Sequence, residues 1–183
     1  MQVAVTLELL LMRPVRRKNM VELRLEENVI RAGWETFIRL PSEQVKNGVD
    51  LDYRLPPESV ALLDFYIKRL LPLFGPNPGG WLFPGGIANR HKTGEQFGNQ
   101  LSKTIKELTG LYFFPHLARH FGAFLYLKEN PGAFEVVRRV LGHRSLTTTT
   151  RSYVSFESDS AVQLYDTLIL RIRDAIEGEV GDG

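Results

Sequence analysis

The chain has 183 residues, 43% of them apolar and 24% charged, a length and composition that suit one soluble domain with a real core. It contains no cysteine, which excludes a disulfide framework and a thiolate metal site. Its most apolar runs, Leu9–Met12 and Ile169–Leu170, are far too short to span a membrane, and no signal peptide opens the chain, so the expected location is the cytoplasm.

The net charge of +2 is unevenly spread. The last ten residues, 174–183, hold four acids and no base, leaving residues 1–173 with 23 bases against 17 acids. Positive charge gathers at Arg13, Arg16, Arg17 and Lys18, and again from Val137 to Tyr153, where Arg138, Arg139, His143, Arg144 and Arg151 meet no acid. Such patches suit a phosphate-rich partner.

Val3 to Met12 reads as an apolar helix ended by Pro14, and Arg17 to Leu25 as a short helix or turn. Thr36–Leu40 and Leu51–Leu55 alternate apolar with polar, the period of half-buried strands, with Val29–Ile30 as a first strand and Gln44–Gly48 as the intervening turn. Glu58 to Phe74 predicts one strong amphipathic helix, and Gly75 to Gly86 an irregular loop. Four further helices are expected: Thr93–Thr109, His116–Lys128, Ala133–Leu141 and Glu157–Ile176, with a short piece near Leu146. Asn130-Pro131-Gly132 breaks the chain between two of them, and Gly142 suits a helix C-terminus. The fold class expected is α+β, mainly α, with one small antiparallel three-stranded sheet. The domain would run over 1–176, ahead of a disordered tail at 177–183.

The chemistry concentrates in His116-Leu-Ala-Arg119-His120, then Leu141-Gly142-His143, then Tyr153, ten residues after His143. His116 and Arg119, three apart, share a helix face. This order and spacing resemble the tyrosine recombinase (phage integrase) family, which carries H-x-x-R-H, then L-G-H, then a tyrosine at that distance. The resemblance extends upstream: Pro14-Val-Arg16-Arg17-Lys18-Asn19-Met20-Val-Glu-Leu23 looks like the family's first-arginine box, G-L-R-x-x-E-L-x-x-L. It departs at Pro14, in place of Gly, and at Asn19, in place of Glu, so a different supporting bond is needed there. Lys46, in the turn between two strands, matches the family's lysine.

The resemblance implies a site-specific DNA recombinase or integrase whose nucleophile is Tyr153. Arg16 and Arg119 would clamp the scissile phosphate, whose oxygens match their planar forks. Lys46 would protonate the departing 5′-oxygen, His116 would help take and return the Tyr153 proton, and His143 would hydrogen-bond the phosphate. A tyrosine with an unperturbed pKa near ~10 needs such positive neighbours. No cofactor and no metal are implied. The implied partner is double-stranded DNA, with a homotetramer assembled on two paired sites. The family's N-terminal core-binding domain is absent from these residues, so the chain is expected to be a fragment. The apolar face of Ala161–Tyr165 and Leu168–Leu170 would dock into a neighbour or fold back in cis, and both readings stay open.

Three rivals remain. His116, His120 and His143 could ligate zinc, although Leu117 occupies the place of a catalytic Glu and Arg119 opposes a cation. A catalytically impaired DNA-binding relative would keep the fold alone. A type IB topoisomerase would share the strand chemistry. His120 reads as structural, and Thr147–Thr150 as a segment that positions Tyr153.

Overall fold

A computed structural model describes residues 2–87, 89–150 and 153. The expected helix Glu157–Ile176, its docking face and the tail at 177–183 lie outside the described residues.

Helix α1 (Gln2–Met12) runs through the main core, burying Val5, Leu9 and Leu10 against later helices. A five-residue helix, α2 (Arg17–Val21), and a single turn, α3 (Leu25–Asn28), follow, which resolves Arg17–Leu25 into helix and then turn. Strands β1 (Val29–Ala32), β2 (Glu35–Leu40) and β3 (Leu51–Arg54) form one antiparallel sheet in that order, with Val29 opposite Ile38 and Leu40 opposite Leu51. Thr36, Ile38 and Leu40 face the core while Phe37 and Arg39 face away, the alternation a one-sided sheet requires. Between β2 and β3 the chain makes a tight turn at Ser42–Gln44 and then a β-turn closed by the Gly48 amide on the Val45 carbonyl at 2.7 Å. Lys46 stands exposed at the first corner of that β-turn.

The expected helix Glu58–Phe74 is helical throughout but not of one kind. It runs as α4 (Pro57–Phe65), widens to a π turn over Tyr66–Leu70 and tightens to a 3-10 turn over Leu71–Phe74. Pro72 explains the change: it has no N–H for the carbonyl four residues back, and its ring crowds that turn. Tyr66, 1% exposed, fills the space, donating to the Leu82 carbonyl at 2.8 Å.

The irregular segment after it buries Leu82 and Phe83 completely. Helix α5 (Gly94–Thr109) opens on a Thr93–Gln96 capping box and closes on Gly110 in the left-handed conformation. Helix α6 (Pro115–Glu129) starts with proline in its first turn, where the missing N–H costs nothing. Helix α7 (Phe134–Leu141) ends at Gly142, with φ 60°. A side chain there would be strained, and it would also displace the end of the Leu51 side chain, 2.8 Å away, so the backbone conformation favours glycine. Residues 146–150 are again helical.

Two cores result. The larger joins α1, the sheet, α4 and α5; the smaller gathers Ala123, Leu127, Val137, Leu141 and Tyr153, with Phe134 against them. Arg119 lies on α6 where these two cores meet, flanked by Ala118 of the first and Ala123 of the second.

Candidate active site

Helix α6 supplies the centre. Arg119 is 6% exposed; its Nη1 donates to the Pro14 carbonyl and its Nη2 to the Leu141 carbonyl, the latter at 2.6 Å. One guanidinium thus ties the exit of α1 to the end of α7. Burial, and next the charge of Arg16, lowers its pKa to about 10, so it remains cationic at neutral pH.

Arg16 leads into α2. Its Nη1 is buried without a hydrogen-bond partner, a state that folded proteins seldom leave to a donor. The neighbouring arginines are engaged elsewhere. Arg13 Nε donates to the Arg54 carbonyl at 2.8 Å, and Arg17 lies across Gly94 and Gly98 at the start of α5.

The Lys46 turn is tied down by its neighbour and packed closely on Arg144. Asn47 Nδ2 donates to the Gly142 carbonyl at 2.7 Å, and a side chain at Gly48 would meet Arg144 Nη2 at 2.8 Å. Asn19, where the resembling box carries an acid, is buried and donates through Nδ2 to the Gln44 carbonyl at 2.5 Å. The supporting bond at this position therefore reaches the segment just before Lys46. Tyr53 on β3 donates to the Val140 carbonyl at 2.6 Å, and burial pushes its pKa up to about 12 against the pull of Arg119, Arg16 and Arg13.

His143 follows the Gly142 cap, its carbonyl accepting from Arg138 Nη1 at 2.8 Å. Its Nδ1 lies 2.9 Å from the hydroxyl of Thr149, which is wholly buried. Burial first, then Arg119 and Arg16, lowers the His143 pKa to about 4, so the ring is neutral at pH 7. The Thr149 hydroxyl can donate to Nδ1, an arrangement that would place the ring proton on Nε2.

Tyr153, 2% exposed, has its ring among the apolar side chains of the smaller core. Its hydroxyl is 2.9 Å from His120 Nδ1, and His120 Nε2 is 2.8 Å from His116 Nε2. Burial raises the Tyr153 pKa while Arg119 opposes the rise; burial, His116 and Arg119 lower that of His120. The expected contact between His116 and Tyr153 thus runs through His120, a residue read from sequence as structural.

Arg16, Lys46, His116, Arg119 and His143 line one cleft of about 860 Å³. They come from four separate segments of the chain. Arg17 and Lys18 add two more cations to its wall, against Glu22 as the acid, so the cleft favours an anion. Tyr153 is not in the wall; the His120 and His116 rings connect it to the cleft. Sequence reasoning missed Asn47 and Tyr53, and it named His120 and Thr149 without their partners, Tyr153 and His143. Only His120 carried a signal, its four-residue spacing from His116 on one helix face. Among the described residues no group of three His, Asp or Glu is set to hold a metal ion. No helix among them is long and apolar enough to cross a membrane.

No profile of a known protein family matches the chain, and no curated protein matches it in sequence. Solved structures do match. XerH site-specific recombinase bound to palindromic difH substrate, a post-cleavage complex, is 17% identical with a TM-score of 0.68, over 89% of this chain and 44% of that one. A pre-cleavage complex of XerH with difH is also 17% identical, with a TM-score of 0.65 over 82% and 42% of the two chains. XerA recombinase is 21% identical, with a TM-score of 0.63 over 91% and 57%. The architecture is mainly helical with one three-stranded antiparallel sheet, as expected from sequence. More particularly, it is the fold of a tyrosine recombinase catalytic domain. The chain spans less than half the length of XerH and 57% of that of XerA.

Proposed function

We propose that this chain cleaves and rejoins double-stranded DNA as the catalytic domain of a site-specific recombinase, through a 3′-phosphotyrosyl bond at Tyr153. The observation that carries the reading is the convergence of Arg16, Lys46, His116, Arg119 and His143 on one cationic cleft, linked through His120 to the Tyr153 hydroxyl. XerH, which has this fold, is described in complex with its difH substrate before and after cleavage.

The Tyr153 oxygen attacks the scissile phosphorus, the P–O5′ bond breaks, and Lys46 protonates the departing 5′-oxygen. The guanidinium groups of Arg16 and Arg119, both in the cleft wall, take the non-bridging oxygens, where negative charge grows in the transition state. The Nε2–H of His143 adds a third donor. Ligation reverses each step. The bond energy stays in the phosphotyrosine, so rejoining draws on no ATP, and no step is assigned to a metal. In the resting chain the Tyr153 hydroxyl is held at His120, just behind the cleft wall, and it keeps that partner as its oxygen meets the phosphorus. Partner DNA sites paired by a homotetramer, and action in the cytoplasm at the nucleoid, belong to this reading.

The test is a nicked suicide substrate, whose cleavage releases a short strand and traps the adduct. A denaturation-resistant protein–DNA species supports the reading. Its absence across cleavable substrates, with DNA still bound, supports the impaired-relative reading instead.

A further inference from the structure

Two histidines stand one turn apart on α6 with their Nε2 atoms 2.8 Å apart, an arrangement in which exactly one ring can donate to the other when both are neutral. The inner ring, His120, meets the Tyr153 hydroxyl through its remaining nitrogen at 2.9 Å. The rings pack edge to face at 4.3 Å between centroids, which keeps the two nitrogens close. The three groups form an unbroken chain of ionisable side chains, from a buried phenol to an exposed imidazole on the cleft.

We infer that His120 and His116 act as a two-step proton relay for Tyr153, with His120 as the group that receives the phenolic proton directly. This inference rests on the recombinase reading above. In the resting chain the Tyr153 hydroxyl donates to His120 Nδ1, His120 Nε2–H donates to His116 Nε2, and His116 holds its own proton on Nδ1. As the Tyr153 oxygen bonds to phosphorus, its proton passes to His120 Nδ1 and the His120 Nε2 proton passes to His116. His120 ends neutral in its other tautomer, and His116 ends as the imidazolium. The proton on the 5′-oxygen comes separately from Lys46, so the two transfers balance independently. Ligation runs the relay backwards and restores the phenol.

The burial gradient gives the relay its direction. The groups facing His120 are His116, Arg119, His143 and Tyr153; burial, His116 and Arg119 all disfavour a charged His120. His116 is exposed at the cleft, where water and a bound phosphate can both stabilise an imidazolium. A lone buried base would have to keep the charge where it is most costly.

The decisive variant is His120→Asn, whose side chain can keep a hydrogen bond to the Tyr153 hydroxyl but cannot pass a proton on. The measurement is single-turnover cleavage of the suicide substrate by the whole chain, with DNA affinity read in parallel. A relay predicts that cleavage falls by about 100-fold or more while affinity holds. His116→Asn should give a comparable loss, and the double variant should fall no further than the worse single one. Cleavage by His120→Asn within about threefold of the unaltered chain, or losses that multiply in the double variant, would overturn the relay. If His120→Asn fails to fold, the His116→Asn arm decides: cleavage near that of the unaltered chain overturns the relay. Loss of any adduct from the unaltered chain itself would instead strike the recombinase reading, so the two failures are distinguishable.

Discussion

Asn47 and Gly142 lie 95 residues apart in sequence, yet the Asn47 Nδ2 donates a 2.7 Å hydrogen bond to the Gly142 carbonyl. The bond fixes the turn that carries Lys46 to the backbone immediately before His143. Two groups assigned to the same phosphate, Lys46 to its departing 5′-oxygen and His143 to a non-bridging oxygen, are therefore set by one contact.

Removing that contact has a predictable signature. Asn47→Ala should cost about 1 kcal/mol of stability, the usual value of one such bond. It should slow cleavage of an ordinary substrate, because Lys46 loses its anchor. A substrate with sulfur at the 5′-bridging position needs no proton on its leaving group, and on it the variant should cleave at close to the rate of the unaltered chain. Equal losses on both substrates would separate Asn47 from Lys46.

Arg119 has two duties. It faces the cleft, and it satisfies the buried carbonyls of Pro14 and Leu141. Arg119→Ala should abolish the covalent adduct and also lower the unfolding midpoint, since each orphaned carbonyl costs about 1–3 kcal/mol. Arg119→Lys should recover part of the stability and little of the cleavage, because an ammonium cannot span both carbonyls and a phosphate. Thermal unfolding and adduct yield, measured on both variants, check this. An Arg119→Ala protein as stable as the unaltered chain would contradict the structural duty.

The histidines make stability depend on pH in a defined direction. The His143 pKa falls from an ordinary 6.5 to about 4 on folding, and that of His120 also falls. Between these values the unfolded chain binds more protons than the folded one, so stability drops as pH falls from about 6.5 toward 4. Replacing His143 with Asn removes its share, and the unfolding midpoint should then decline less steeply across that window. Parallel declines in the two proteins would show that His143 titrates alike in both states.

Much of this was legible in the chain because it is local. The alternation at Thr36–Leu40, the helix face shared by His116 and Arg119, and the glycine after Leu141 each depend on residues a few positions apart. Pro72 was equally visible, but apolar periodicity does not distinguish α from π turns, so the changes after Phe65 were not. The supporting bonds were hidden for another reason. Asn19 reaches a carbonyl 25 residues away and Asn47 one 95 residues away, and no sequence period encodes such a pairing. His120 reads from sequence as structural, and its bond is indeed within the fold; that the partner is the Tyr153 hydroxyl, 33 residues away, is visible only in the structure. Thr149 was similarly hidden until the fold brought its hydroxyl to the His143 ring.

The central claim is that Tyr153 becomes covalently joined to DNA. The most direct measurement is peptide mapping by mass spectrometry of the adduct formed on a nicked suicide duplex, alongside the Tyr153→Phe variant. The account predicts a 3′-phosphonucleotide on the peptide containing Tyr153 and no adduct from the variant, with DNA binding unchanged. An adduct on any other residue, or one that persists in Tyr153→Phe, would contradict it.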